Sequence, residues 1–230
     1  MNILALETSC ETASVALATA GDVLQITLQG HTNHSEHLLE QIGELLSRAG
    51  LTVSELDAIA FGAGPGAFTG VRLACGVAQG LAMGAGLGVI PVNSLAALCL
   101  QAHGPQVFVA TDARMGECYG NAFRLRNGRP EAFEPPCCLP PEQLSLPDAD
   151  GPWEGIGSAF KAYAGRLDHL LPGMATVNAD AVPRACDVLA LARLQLREGG
   201  ALAPELASPL YVRNKVALTI EERRARGGKA

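Results

Sequence analysis

Gly62-Ala63-Gly64-Pro65-Gly66-Ala67-Phe68-Thr69-Gly70-Val71-Arg72 stands between an apolar run, residues 58–61, that reads as a strand, and a small-residue helix from residue 70 to about 84. Glycine adopts positive φ without penalty and Pro65 fixes its own φ, so the stretch makes a tight strand-to-helix loop. Backbone N–H groups gathered at a helix N-terminus suit an anion. Yet no Lys follows the last glycine, and Pro65 removes a donor where a phosphate cradle needs one. Both features favour a structural turn over a nucleotide loop.

The helix that follows is two-faced. At 100° per residue Val71, Ala74, Cys75, Ala78, Leu81 and Ala82 share the face expected to meet a sheet. Arg72, Gly76, Gly80 and Met83 lie opposite, with Leu73, Val77 and Gly84 on the shoulders. Glycine in an exposed helix costs roughly 1 kcal/mol relative to alanine. The spacing therefore predicts that this outer face is covered too, either within the chain or by another helix backbone approaching closely.

The 230 residues allow one large or two small domains, and 48% hydrophobic against 17% charged residues makes the chain globular. A net charge of −6 argues against a stand-alone nucleic-acid binder. Seven cysteines without a C-x-x-C pair fit reduced thiols better than a disulfide framework or a zinc site. With no signal-like or membrane-spanning stretch, the expectation is a cytoplasmic protein.

Going outward from the loop, residues 3–7, 14–18 and 23–29 read as a three-strand meander. Asn33 and Glu36 form a capping-box pattern ahead of Leu38, Leu39, Ile42, Leu45, Leu46 and Ala49 at helical spacing. A strand at 87–92 and a helix from 94 to about 103 follow. The second half repeats this order: strands at 107–111, 118–125 and, weaker, 131–138, a proline-rich connection, a strand at 154–156, a helix near 159–167, a strand at 175–177 and a helix over 183–198, with Pro183 in its first turn. The expected architecture is a duplicated α/β fold of mixed sheets with helices on their faces, divided into residues 1–105 and 106–230.

Several residues invite a chemical reading. His31, His34 and His37 recur every third position, but no carboxylate or thiolate completes a zinc site, and a solvated helix start is the expectation. Asp112 and Glu117 flank a turn, where acid–base work competes with capping of backbone N–H groups; Arg114 is placed to neutralise either. Glu7 ends the first strand. Lys215, Arg223, Arg224, Arg226 and Lys229 make the tail basic, as a phosphate-contacting or a simply solvated end would be.

Taken together, Ile3-Leu4-Ala5-Leu6-Glu7-Thr8-Ser9, His34-Ser35-Glu36-His37-Leu38-Leu39, the glycine stretch, Asp112-Ala113-Arg114-Met115-Gly116-Glu117 and Ser208-Pro209-Leu210-Tyr211-Val212-Arg213 resemble the TsaB (YeaZ) family over nearly the whole chain. Glu7 departs from that family's usual Asp and is closer to its catalytic sibling TsaD. Where TsaD-like proteins carry an H-x-x-x-H metal pair after a Val-Asn, however, Val92-Asn93 is followed by Ser94 and, four positions on, Leu98. The resemblance implies an actin-like, Hsp70-like (ASKHA, RNase H-like) duplicated fold. It also implies a catalytically silent subunit with no metal or cofactor of its own. The implied partners are TsaD and the ATPase TsaE, in threonylcarbamoyl transfer to the adenosine beside the anticodon of tRNA, with tRNA contact only through the complex. The docking surface it implies comprises Leu38, Leu39 and Ile42 of the first helix and Arg72, Leu73, Gly76, Val77, Gly80, Met83 and Gly84 of the second. A homodimer of the free chain on that surface stays open, as does an actin-like ATP-binding phosphotransferase gripping phosphate at residues 8–12 and 112–116. A metallopeptidase is disfavoured by the missing histidine pair.

Overall fold

The computed structural model describes residues 1–28 and 34–213, with only the backbone for 34–36. Its first sheet has five strands in the order β3-β2-β1-β4-β5, formed by β1 Ile3–Glu7, β2 Ala13–Ala18, β3 Val23–Leu28, β4 Ala58–Gly64 and β5 Gly88–Asn93. β1 to β3 pair antiparallel, whereas β1, β4 and β5 run parallel. The second sheet follows the same path with β8-β7-β6-β10-β11, where β6 is Gln106–Asp112, β7 Cys118–Arg126, β8 Arg129–Ala132, β10 Trp153–Ile156 and β11 Met174–Asn178. The duplication expected from the element order is present in the topology.

The helices arrange these sheets into layers. α1 His34–Ala49 and α2 Phe68–Ala85 cover one face of the first sheet, where Leu38, Ile42 and Leu45 meet Leu6, Leu17 and Phe61, joined by Ala74 and Ala78. α3 Ser94–Cys99 and α5 Ala185–Arg197 lie between the sheets. α5, from the second half of the sequence, packs on the alanine-rich other face of the first sheet, with Val188 and Leu189 against Ile3, Ala5, Ala16 and Ala60. α3, from the first half, sends Leu95 and Leu98 against Val107, Val109 and Phe123 of the second sheet. Phe108, Trp153, Phe160 and Leu167 form the core on the far side, where α4 Ala159–Ala162 sits. The sheets thus fall on either side of residue 105, but their helices do not.

Some boundaries differ from the sequence reading, for physical reasons. The strand expected over 131–138 is broken by Pro135-Pro136, which cannot donate to a ladder, and only Cys137–Leu139 (β9) pairs with β7 beyond them. The helix expected over 159–167 stops at Ala162, and Gly165 soon follows in a turn at φ +84°. Pro183 precedes the N-cap Arg184 instead of lying in the first turn. α5 starts where the first sheet can receive it: Ser14 Oγ accepts from Ala185 N and Gln25 Oε1 from Cys186 N, both at 2.9 Å. Asn33 of the expected capping box lies outside the described residues, as does the side chain of Glu36. Among the described residues no helix is long and apolar enough to cross a membrane.

The glycines of β4 and α2 divide into two kinds. A Cβ on Gly62 would stand 2.0 Å from Glu7 Oε2, one on Gly66 2.4 Å from Ser9 O, and one on Gly70 1.8 Å from Thr8 O. Nothing lies within 4 Å of the corresponding points on Gly76, Gly80 and Gly84. Alanine at these two kinds of position should act in opposite directions. Gly70→Ala is expected to cost about 3 kcal/mol or more through forced backbone displacement, lowering Tm by at least about 6 °C. Gly76→Ala is expected to gain up to about 1 kcal/mol and raise Tm by about 2–4 °C. Thermal melts of the two variants beside the parent check both.

Candidate functional site

At the centre, Glu7 is wholly buried at the end of β1. Its Oε1 accepts from Ser9 N at 2.7 Å and its Oε2 from Ser94 Oγ at 2.8 Å. Gly64 N in turn donates to Ser94 Oγ at 3.2 Å. Burial raises the Glu7 pKa above the usual 4.5, although bonds from Ser9, Ser94 and Thr8 oppose the shift. Ser94 and Leu98 occupy the positions where the family resemblance places a metal pair in the catalytic sibling. Here the serine hydroxyl is engaged by Glu7 and Gly64, and Leu98 is fully buried in the core between the sheets. A neutral hydroxyl and a hydrocarbon do not fit a metal ion, and among the described residues no group of three His, Cys, Asp or Glu side chains could hold one.

Between the two halves lies a cavity of about 610 Å³, walled by residues 9–12 and 65–68 on one side and by 111–115, Ser158, Lys161 and Ala162 on the other. Both turns suggested as phosphate grips border it. The glycine loop, however, is filled by the chain itself: Ala67 N donates to Ser9 O at 2.7 Å, Thr8 Oγ1 donates to Gly70 O at 2.6 Å, and Gly66 and Gly70 press on the Thr8-Ser9 backbone. The close approach that a phosphate would exploit is taken by a turn, as the sequence reading favoured. Cys10 lines the same cavity. Burial pushes its thiol up to about 12, with the Glu7 charge adding to the shift, which suits no nucleophile at neutral pH.

Asp112 and Glu117 do not work as a pair. Asp112 accepts from Arg114 N and from Tyr163 OH, both at 2.7 Å, and meets the Arg114 guanidinium at 3.2 Å. Glu117 is neutralised by Arg213 at 2.7 Å. Arg114 also reaches Glu11 on the other wall of the cleft. Arg213 is the last described residue of the basic tail; Lys215 and the arginines beyond it lie outside the described residues, as does His31. Nothing is described of the His34 side chain, and His37 pairs with Glu40 at 3.4 Å.

The outer face of α2 is a different kind of surface. Gly76, Gly80 and Gly84 look onto open space, so packing within the described chain does not account for them. Met83 beside them is 65% exposed and Leu39 of α1 57%; Leu73 and Val77 are half-buried shoulders. Arg72 stands exposed above them, 3.5 Å over the Phe68 ring, with its Nε donating to Tyr211 OH at 2.7 Å. Two residues expected on this surface are not on it. Leu38 is 0% and Ile42 3% exposed; they lie in one stripe with Leu45 and Leu46, and that stripe faces the sheet. Neither is available to a partner. Ser94 as the clamp on Glu7 was not legible in sequence: 87 residues separate the two, and neither end of the pair carries a local pattern.

Comparison with known proteins adds to this geometry. Residues 28–216 match a family model described as TsaD, tRNA N6-adenosine threonylcarbamoyltransferase. The chain is 34% identical to the tRNA threonylcarbamoyladenosine biosynthesis protein TsaB of Haemophilus influenzae, covering 94% of this chain and 95% of that one. It is 35% identical to the Escherichia coli protein of the same name, with 94% and 96% covered. A solved structure titled YeaZ from Pseudomonas aeruginosa superposes with a TM-score of 0.85 at 37% identity, covering 91% of this chain and 99% of that one.

The buried carboxyl predicts a pH signature. Because the folded-state pKa of Glu7 lies above the unfolded value near 4.5, the folded protein holds a proton that the unfolded chain releases as pH rises past that value. Stability contributed by Glu7 is therefore highest below pH 4.5, falls as pH climbs toward the folded pKa, and then levels. Glu7→Gln removes this slope. Urea titrations from pH 4 upward should show the stability difference, variant minus parent, rising with pH; a pH-independent difference contradicts the assignment.

Proposed function

The chain belongs to the TsaB (YeaZ) family of tRNA threonylcarbamoyladenosine biosynthesis proteins, and on that footing we propose that it is a catalytically silent subunit that docks on TsaD. Docking holds TsaD in a transfer-competent form. TsaD supplies the metal and moves the threonylcarbamoyl group to the adenosine beside the anticodon; the ATPase TsaE joins the pair, and tRNA is met only through the complex. Silence is supported by Ser94 and Leu98, whose chemistry cannot replace two histidines, and by the glycine loop closing on Thr8-Ser9.

One observation carries the docking proposal: the open stripe of Gly76, Gly80 and Gly84 on α2. Three helix glycines left in water would together cost about 3 kcal/mol relative to alanine, with no return inside this chain. They are accounted for if a partner helix lies close enough that a Cβ would obstruct it. Arg72, Leu73, Val77 and Met83 of α2 and Leu39 of α1 complete the proposed surface, without Leu38 and Ile42. When the chain is alone, a second copy is the proposed occupant of the same face.

Gly80→Leu tests this. Its side chain has open space on the isolated protein, so fold and Tm should be retained. At a close helix crossing, overpacking costs about 1–3 kcal/mol, an affinity loss of about 5- to 150-fold. Titration of the variant into TsaD, followed by calorimetry, measures it; undiminished affinity overturns the docking surface.

A further inference from the structure

The segment after α5 is tied in turn to both halves of the molecule. Leu202 exchanges two backbone hydrogen bonds with Val89 on the edge of β5, at 2.8 and 2.9 Å. Gln79 of α2 donates to the carbonyls of Pro204 and Ala207, at 2.9 and 3.1 Å. Leu210 N donates to Ala63 O at 2.7 Å, and Tyr211 OH accepts from Arg72 at 2.7 Å. Immediately after Tyr211 the attachments change sides. Val212 packs against the core of the second sheet. Arg213 donates to the Ala113 and Arg114 carbonyls at 3.0 and 3.2 Å and pairs with Glu117 at 2.7 Å. Residues 210–213 also line the cavity between the halves.

We propose that residues 202–213 act as a clasp coupling the outer face of α2 to the far wall of the cleft. Its two fastenings are Arg72–Tyr211 and Arg213–Glu117, with only Val212 between them in the chain. Arg72 is the exposed end. Its bond to Tyr211 goes to a neutral phenol, whereas a carboxylate arriving at the α2 face would take the guanidinium in a charge-assisted bond about twice as strong. A partner carboxylate that takes the Nε–H of Arg72 releases Tyr211, slackens the clasp and frees the turn at 112–117. Docking on α2 is thereby transmitted to the cleft. The coupling is a property of this chain, so its test needs no partner.

Hydrogen–deuterium exchange on the full-length chain measures the coupling, read at the peptide spanning residues 112–117, which lies away from the Arg72–Tyr211 bond. Tyr211→Phe keeps the ring and removes the hydroxyl; losing a bond worth about 1 kcal/mol should speed exchange there about five-fold. Arg213→Met, cutting the other fastening directly, should speed it by at least as much. Faster exchange confined to residues 208–212, with 112–117 at the parent rate, overturns the proposal. If Tyr211→Phe also loosens β1 and β4, Arg72→Lys is read in its place by the same two criteria.

Discussion

Nothing larger than a hydrogen fits between Gly70 and the Thr8 carbonyl, and the molecule is arranged around that contact. The start of α2 is set against the turn that leaves β1, with Gly62 and Gly66 closing on Glu7 and Ser9 in the same way. Once α2 begins there, its buried residues Ala74, Ala78 and Ala82 fall onto the sheet and its glycines face outward. The same contact sets one wall of the cleft and leaves Glu7 so enclosed that Ser94, from the next helix, must satisfy its second oxygen. A loop whose composition suggests ligand binding serves to press two segments of one chain together.

How much of this was legible in the sequence depended on the range of the signal. The element order, the duplication and the two-faced character of α2 follow from period and punctuation, which are local. Of the residues proposed for docking, the exposure of some was legible and that of others was not. An outward glycine can be found by helical phase alone, because small residues on the face opposite an apolar stripe have no structural reason of their own. Leu38 and Ile42 were misplaced because an apolar residue on a helix is equally compatible with core and interface; only the phase relative to Leu45 and Leu46 separates them, and Leu39 is the residue on the other side of it. The placement of α5 on the first sheet was invisible. Its caps, Ser14 and Gln25, lie 171 and 161 residues from the amides they receive, and no local pattern announces a partner that distant.

The family relation and the physical reading bear on different parts of the molecule. Membership of the TsaB family fixes the pathway. What the residues add is local: Ser94, at the start of α3, supplies a hydrogen bond to the buried carboxyl of Glu7. The Ser94 hydroxyl is thereby part of the scaffold, while the glycines on the outer face of α2 look onto open space.

The seating of α5 has a consequence for how the protein is made. By the time residue 93 leaves the ribosome every strand of the first sheet has been synthesised, yet Ile3, Ala5, Ala16 and Ala60 pack mainly with α5 residues such as Val188 and Leu189. At elongation rates of about 5–20 residues per second that apolar face waits on the order of five to twenty seconds for its own C-terminal half. Nascent chains of this protein therefore present this apolar face to chaperones until α5 emerges, and a message truncated before α5 leaves it without its main cover.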